Sequence, residues 1–162
     1  MNRMRTDKGF SFIEVTIAVA LMGILAVISL SSMKTYLARR DMLQGARQLA
    51  GDLRLTQQYA MTYKEQDRSF RLAYSPTSTS SYTIRKVKDS DGSVISTLKD
   101  VQFPASLTVT STFTGNTAQF TPTGAPTQNG TFCISAGVST TMKVDVLAGT
   151  GRTTDQEVTT CP

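Results

Sequence analysis

The spacing of apolar residues changes twice along this chain. From Phe10 to Leu30 they run almost unbroken, long enough for a membrane-spanning helix of about 20 residues. Beyond Ser31-Ser32-Met33-Lys34 a proline-free segment continues to about Glu65. In it Met42, Ala46, Leu49, Ala50, Leu53, Gln57 and Ala60 return at the i, i+3, i+4, i+7 spacing of one helix face. That face is narrow and rich in alanine, which suits a sheet lying close against it. Arg40, Arg47 and Arg54 form a stripe on another face. Gly23, Gly45 and Gly51 each weaken a helix by about 1 kcal/mol relative to alanine, and small residues of this kind serve close packing between helices.

From Arg68 onward the pattern shifts to short alternating runs. Ser69–Tyr74, Tyr82–Val87, Val94–Val101, Leu107–Phe113, Ala118–Thr121, Thr131–Ser135 and Met142–Leu147 read as strands, separated by Ser/Thr, Gly and Pro clusters. Asp89-Ser90-Asp91-Gly92 is a hairpin turn signal between two of them. It opens like a calcium loop, but the remaining ligands of that motif are absent.

Charge orients the apolar run. Arg3, Arg5 and Lys8 against Asp7 precede it, and such an excess of positive charge holds that end in the cytoplasm. A secretory signal has a shorter apolar core and a small-residue cleavage site. Here the run passes straight into a long helical pattern, so it reads as a retained anchor with the C-terminal bulk outside the cytoplasm. Glu14 lies inside this run. An intramembrane carboxylate costs roughly 2.5–3.5 kcal/mol on insertion scales, so it marks function by default.

The stretch Lys8-Gly9-Phe10-Ser11-Phe12-Ile13-Glu14-Val15 resembles the type III signal of type IV pilins and of the pseudopilins of type II secretion. The resemblance implies that a membrane aspartyl peptidase, the prepilin peptidase, cuts after Gly9 and methylates the new N-terminus at Phe10. Glu14 then becomes the fifth residue of the mature chain. Paired with the free amine of a neighbouring subunit, its carboxylate would favour assembly and set the axial stagger. Members of the family often carry a helix-bending proline where this chain has Ser31.

The rest of the chain extends the likeness. Ala118-Gln119-Phe120-Thr121-Pro122-Thr123-Gly124 is followed by Asn129-Gly130-Thr131-Phe132-Cys133-Ile134, then by Met142-Lys143-Val144-Asp145-Val146 and Gly149-Thr150-Gly151-Arg152. This succession, with Ala50-Gly51-Asp52-Leu53-Arg54-Leu55 in the helix, is similar to the GspH/FimT-type minor pilins and pseudopilins. The implied fold is α+β, a long N-terminal helix packed on a C-terminal antiparallel β-sheet domain. The expected parts are a cleaved leader at 1–9, a transmembrane and filament-core helix at 10–32, an amphipathic spine at 33–66 and a β-rich domain at 67–162. The implied partners are other pilin or pseudopilin subunits, the prepilin peptidase, an inner-membrane assembly platform, and membrane lipid before assembly. The implied location is the bacterial inner membrane, single-pass, and then a pilus or pseudopilus filament.

Composition narrows the remaining chemistry. About 130 residues are left after leader and anchor, enough for one modest core. Net charge is +5, and loss of the leader brings it to +3, too little to argue nucleic-acid binding from total charge. Some related minor pilins bind DNA, and Arg40, Arg47, Arg54 and Arg152, with Arg85, Lys86 and Lys88, are candidate phosphate contacts. Interleaved aromatic residues, which single-strand binding uses, are lacking. A plain anchored surface domain without a filament is a third reading. Cys133 and Cys161 fall in the extracytoplasmic part, where an oxidising compartment favours a disulfide over a free thiol pair. For a loop of that length the entropy model gives roughly 3 kcal/mol. The chain has no histidine, so the usual serine and cysteine nucleophile arrangements cannot be assembled. Zinc needs about four ligands and finds only two cysteines. No phosphate-binding or dinucleotide glycine motif is present. The expectation is a structural subunit with no enzymatic activity, cofactor or metal, itself the substrate of a peptidase.

Overall fold

The computed structural model describes residues 11–63, 67–76 and 80–161, without the side chains of 27–32. Among the described residues one α-helix, α1 (Phe12–Tyr63), precedes eight strands. The chain divides into two compact units, Met1–Leu37 and Ala38–Pro162.

In the first unit α1 opens on the Ser11 carbonyl, which accepts from the amides of Glu14 at 3.0 Å and Val15 at 3.3 Å. Phe12, Ile13, Val15, Ile17, Val19, Leu21, Met22, Ile24 and Leu25 are all exposed. Apolar side chains thus cover every side of this turn-by-turn stretch, the pattern of a helix that is buried in something larger. The stretch with described side chains ends at residue 26, short of a bilayer's span. Among the described residues no helix is long and apolar enough to cross a membrane. The first residue of the expected span, Phe10, lies outside the described residues.

In the second unit the same helix becomes amphipathic. Met42, Ala46, Leu49, Ala50, Leu53 and Ala60 are buried, as the spacing predicts. One position differs: Thr56, not Gln57, takes the buried place between Leu53 and Ala60. Its hydroxyl donates to the Asp52 carbonyl at 2.7 Å, so a polar residue sits in the core with its hydrogen-bonding need met inside the helix. Gln57, half-buried beside it, donates instead to a carbonyl of the domain, that of Gly124.

The strands are β1 (Arg68–Ser75), β2 (Ser81–Lys88), β3 (Val94–Gln102), β4 (Thr108–Ser111), β5 (Thr117–Phe120), β6 (Gly130–Ser135), β7 (Thr141–Val146) and β8 (Thr153–Val158). They form two four-stranded antiparallel sheets, ordered β3-β2-β1-β5 and β4-β6-β7-β8. The period-two pattern sets the register. Leu72 faces Ile84 and Tyr74 faces Tyr82 across β1 and β2, while Phe70 faces Phe120 across β1 and β5. All six are buried and continue the core that the helix face begins. The Tyr74 hydroxyl donates to the Val109 carbonyl at 2.7 Å and so ties the first sheet to the second.

Asp89-Ser90-Asp91-Gly92 is a turn between β2 and β3, with Gly92 at φ +71°. The Asp91 carboxylate accepts the Ser93 amide at 2.9 Å, a local bond that stabilises turns. Two strands depart from the sequence pattern. β4 is shorter than Leu107–Phe113, because Leu107 closes a turn on the Pro104 carbonyl and Phe113 leads into a single 3-10 turn, Thr114–Asn116. β8 has no counterpart in that pattern. It is Thr-Thr-Asp-Gln-Glu-Val, with Thr153 buried and the central Asp155-Gln156-Glu157 exposed, so it carries no apolar alternation to read.

Candidate functional site

Gly9 and Phe10, the expected cleavage and methylation positions, lie outside the described residues. Glu14 stands in the first turn of α1 and is exposed. It is the only charged residue between Ser11 and Met33.

In the domain, three constructions hold the helix to the sheets. The first centres on Asp52, a carboxylate on the buried face of α1. Tyr82 of β2 donates to its Oδ2 at 2.7 Å. Lys99 of β3 reaches both oxygens, at 2.7 Å and 2.8 Å. The Asp52 side chain is 8% exposed and that of Lys99 39%, so the carboxylate is dehydrated while the lysine runs in from solvent along the sheet. Burial, and then the hydrogen bond to Asp52 and its charge, push the Tyr82 phenol above the usual tyrosine range. The sequence signal for this cluster was a lone carboxylate at a core-facing helix position, which the motif around Asp52 contains.

The second construction explains two glycines of the strand motifs. After β5 the chain turns at Thr121–Gly124, where the Gly124 amide donates to the Thr121 carbonyl at 2.8 Å. Gly124 has φ +84° and Gly151 φ +63°, conformations that glycine adopts without penalty. The two touch. A Cβ on Gly151 would lie 2.5 Å from the Gly124 carbonyl oxygen and would also strike the Gln57 amide. Gln57 donates to that same carbonyl at 2.7 Å. Two turns far apart in sequence therefore meet on one helix side chain.

The third construction is the C-terminal closure. Cys133 of β6 and Cys161 are joined by a disulfide with Cα atoms 6.2 Å apart. It spans the sheet from β6 to the segment following β8. Arg39 of α1 donates to both oxygens of Glu157 on β8 at 3.0 Å, and Arg54 donates to the Thr153 carbonyl at 3.1 Å. A hydrogen bond from Thr140, and then Arg39, hold the Glu157 carboxyl below its ordinary range.

The candidate phosphate contacts divide accordingly. Arg54 is engaged with β8. Arg40, Arg47 and Arg152 are exposed. Arg85 stands directly opposite Arg71 in the register of β1 and β2, Arg71 being paired with Asp89 at 3.0 Å. Lys86 lies over the rings of Tyr63 and Phe70, and Lys88 is near Asp91 at 3.8 Å. Among the described residues no group of His, Cys, Asp and Glu could hold a metal ion.

A long helix whose second half packs on antiparallel sheets, with Glu14 near its start, is the architecture of a pilin. The pattern of the GspH family, Type II transport protein GspH, matches residues 45–151, and that of the prokaryotic N-terminal methylation motif matches residues 4–30. The chain belongs to the GspH family and is a subunit of the minor pilin and pseudopilin class, which assembles with other pilin subunits into filaments. The fold is similar to that of the type IV minor pilin FimU of Pseudomonas aeruginosa PAO1. In its P21 crystal form the TM-score is 0.59 at 19% identity, covering 73% of this chain and 90% of that one. In its P65 form the TM-score is 0.57 at 17% identity, covering 71% and 92%. Among curated proteins none matches this chain.

Proposed function

We propose that the chain is held in the bacterial inner membrane by its N-terminal helix, with its domain on the extracytoplasmic side. Prepilin peptidase cuts it after Gly9 and methylates Phe10, and an assembly platform draws it into the filament. The subunit is structural and performs no catalysis of its own. The observation that carries this reading is the apolar surface from Phe12 to Leu25, exposed on every side, with Glu14 as its one charge. Such a surface needs lipid or like helices around it. A carboxylate there needs a cation to offset its desolvation, and the free amine of Phe10 on a neighbouring subunit supplies one. The GspH-type domain suits a minor position, at the tip or in initiation, where packing of helices drives assembly and the domain selects neighbours.

Two substitutions test this in cells producing the full chain. Gly9→Val is expected to leave the leader attached, read as an unchanged precursor mass. Glu14→Ala is expected to allow cleavage but to keep the subunit out of sheared filaments. Normal processing and normal incorporation in both variants would overturn the reading in favour of a plain anchored domain.

A further inference from the structure

Among the described residues three carboxylates are not exposed: Asp41, Asp52 and Asp145. Two are neutralised within the domain. Asp52 has Lys99 and Tyr82. Asp145 has Lys143 at 3.1 Å and accepts from Thr131 at 2.6 Å and Gln156 at 3.5 Å. Among the described residues the Asp41 side chain has no ion pair or hydrogen bond. Its own helix offers none, since the positions three and four residues away, Leu37, Ala38, Gln44 and Gly45, carry no cation. The neighbouring Arg39 is spent on Glu157.

Asp41 lines a cleft of about 240 Å³ between α1 and the β3–β4 connection. Gln44, Gly45 and Gln48 of the helix line it on one side, and Gln102, Phe103 and Pro104 on the other. The wall thus carries one carboxylate, three side-chain amide carbonyls and two flat apolar groups. Acceptors of this kind suit a planar guanidinium, which has five N–H donors in a fixed fork and no acceptor. Phe103 and Pro104 suit the methylene stem that such a side chain lays along apolar surface. A partly desolvated carboxylate without a cation is costly in the isolated domain and is offset once a cation arrives.

We propose that this cleft is a socket for an arginine side chain of the neighbouring subunit in the filament, with Asp41 as its anionic anchor. The occupant comes from another chain because, among the described residues, no cation of this one pairs with Asp41 and Arg39 is held by Glu157. Charge complementarity with a second pilin-class subunit is at hand in this chain's own surface, where Arg40 and Arg47 stand exposed on α1. The socket rests on the reading that the chain enters a filament, and it adds a domain-level contact to the one at Glu14.

The test uses the full chain in cells that build the filament. A photoreactive benzophenone side chain is placed at Gln48, on the cleft wall, and separately at Ile17, on the apolar half of the helix. The expected result is a crosslink from Gln48 to an arginine-bearing segment of another subunit carrying the N-terminal methylation motif. It should fall about tenfold with Asp41→Asn, the loss of one charge-assisted pair, and persist with Asp41→Glu at equal protein levels. A Gln48 crosslink that Asp41→Asn leaves unchanged, or that maps to a segment without a basic residue, overturns the socket. So does the absence of a Gln48 crosslink while Ile17 still crosslinks to pilin-class subunits, an outcome that leaves the filament reading standing. Absence of crosslinks from both positions sinks the filament reading and the socket with it.

Discussion

Lys99 turns inward from the free edge of its sheet to place its ammonium 2.7 Å from the Asp52 carboxylate. β3 is an edge strand, and a lysine on an edge ordinarily faces out and discourages pairing with other chains. Here it is used instead to neutralise a carboxylate that the helix buries. Removing the carboxylate and removing the lysine therefore have unequal effects. Asp52→Ala strands the Tyr82 hydroxyl while Lys99, 39% exposed, returns to solvent, and should cost about 1–3 kcal/mol. Lys99→Met leaves the buried Asp52 carboxylate without its cation, and should cost about 3–5 kcal/mol. Chemical denaturation of the full chain in detergent, followed by circular dichroism, measures both. In the double variant the two losses should fall short of their sum by at least about 0.5 kcal/mol. Simple additivity would show that the contact contributes nothing.

Tyr82 gives the same cluster a pH signature. Its phenol is pushed up from an ordinary value of 10.0, so the native state keeps a proton that the unfolded chain releases. The stabilisation is complete below about pH 10 and is lost as pH rises from there. Unfolding by base should therefore steepen above about pH 10, and Tyr82→Phe should flatten that limb while lowering stability near neutrality by about 1–3 kcal/mol. The phenolate absorbance provides the check. Tyr82 should resist ionisation until the protein unfolds, and the phenolate absorbance that appears on unfolding should be smaller in Tyr82→Phe.

The elements that repeat a period were legible in the sequence; those that depend on contacts across the fold were not. The helix face from Met42 to Ala60 and seven strands follow from spacing alone, because burial on one side imposes a period of 3.6 or 2. β8 escaped because its hold is not apolar. Backbone pairing with β7, Arg39 and Arg54, and the nearby disulfide fix it in place of a buried face. Thr56 escaped because its hydroxyl is satisfied by its own helix, which no hydropathy pattern registers. Asp52 carried a signal, a carboxylate in line with Leu49 and Leu53, but its partners come from β2 and β3, and no local spacing links them. Glu14 stands out in the sequence as a charge in a long apolar run, and its role as an assembly contact is the proposal made above.

Gly151 and Gly149 make a controlled pair. Gly151 combines a positive φ with contact to the Gly124 carbonyl and Gln57, whereas a Cβ on Gly149 meets nothing within 4 Å. Gly151→Ala must bear the left-handed conformation and displace two neighbours, one of them backbone. It should lose about 2 kcal/mol, the scale of one strained residue. Gly149→Ala should stay within about 0.5 kcal/mol of the parent, as surface substitutions do. Thermal unfolding of the two single variants decides the matter. Equal midpoints would mean that the meeting of the two turns is incidental to stability.

The disulfide should matter most to β8. Cys133 lies on β6, two strands away from β8 in the sheet order β4-β6-β7-β8, and Cys161 lies just beyond the end of β8. The bond therefore anchors the far end of a strand whose buried residue, Thr153, lies at its start. With Cys133→Ser and Cys161→Ser together, the chain entropy regained on unfolding should lower stability by about 2–4 kcal/mol. The loss should also be local at first. Native-state hydrogen exchange should speed up through Thr153–Val158 before it changes in β6 and β7, whose side chains at Phe132, Ile134, Met142 and Val144 remain in the core. Arg39 and Arg54 still hold β8 from the helix side, so removing Arg39 in the disulfide-free background should release the strand further. If exchange in β8 were unchanged without the disulfide, those two arginines and the pairing with β7 would be sufficient to hold it.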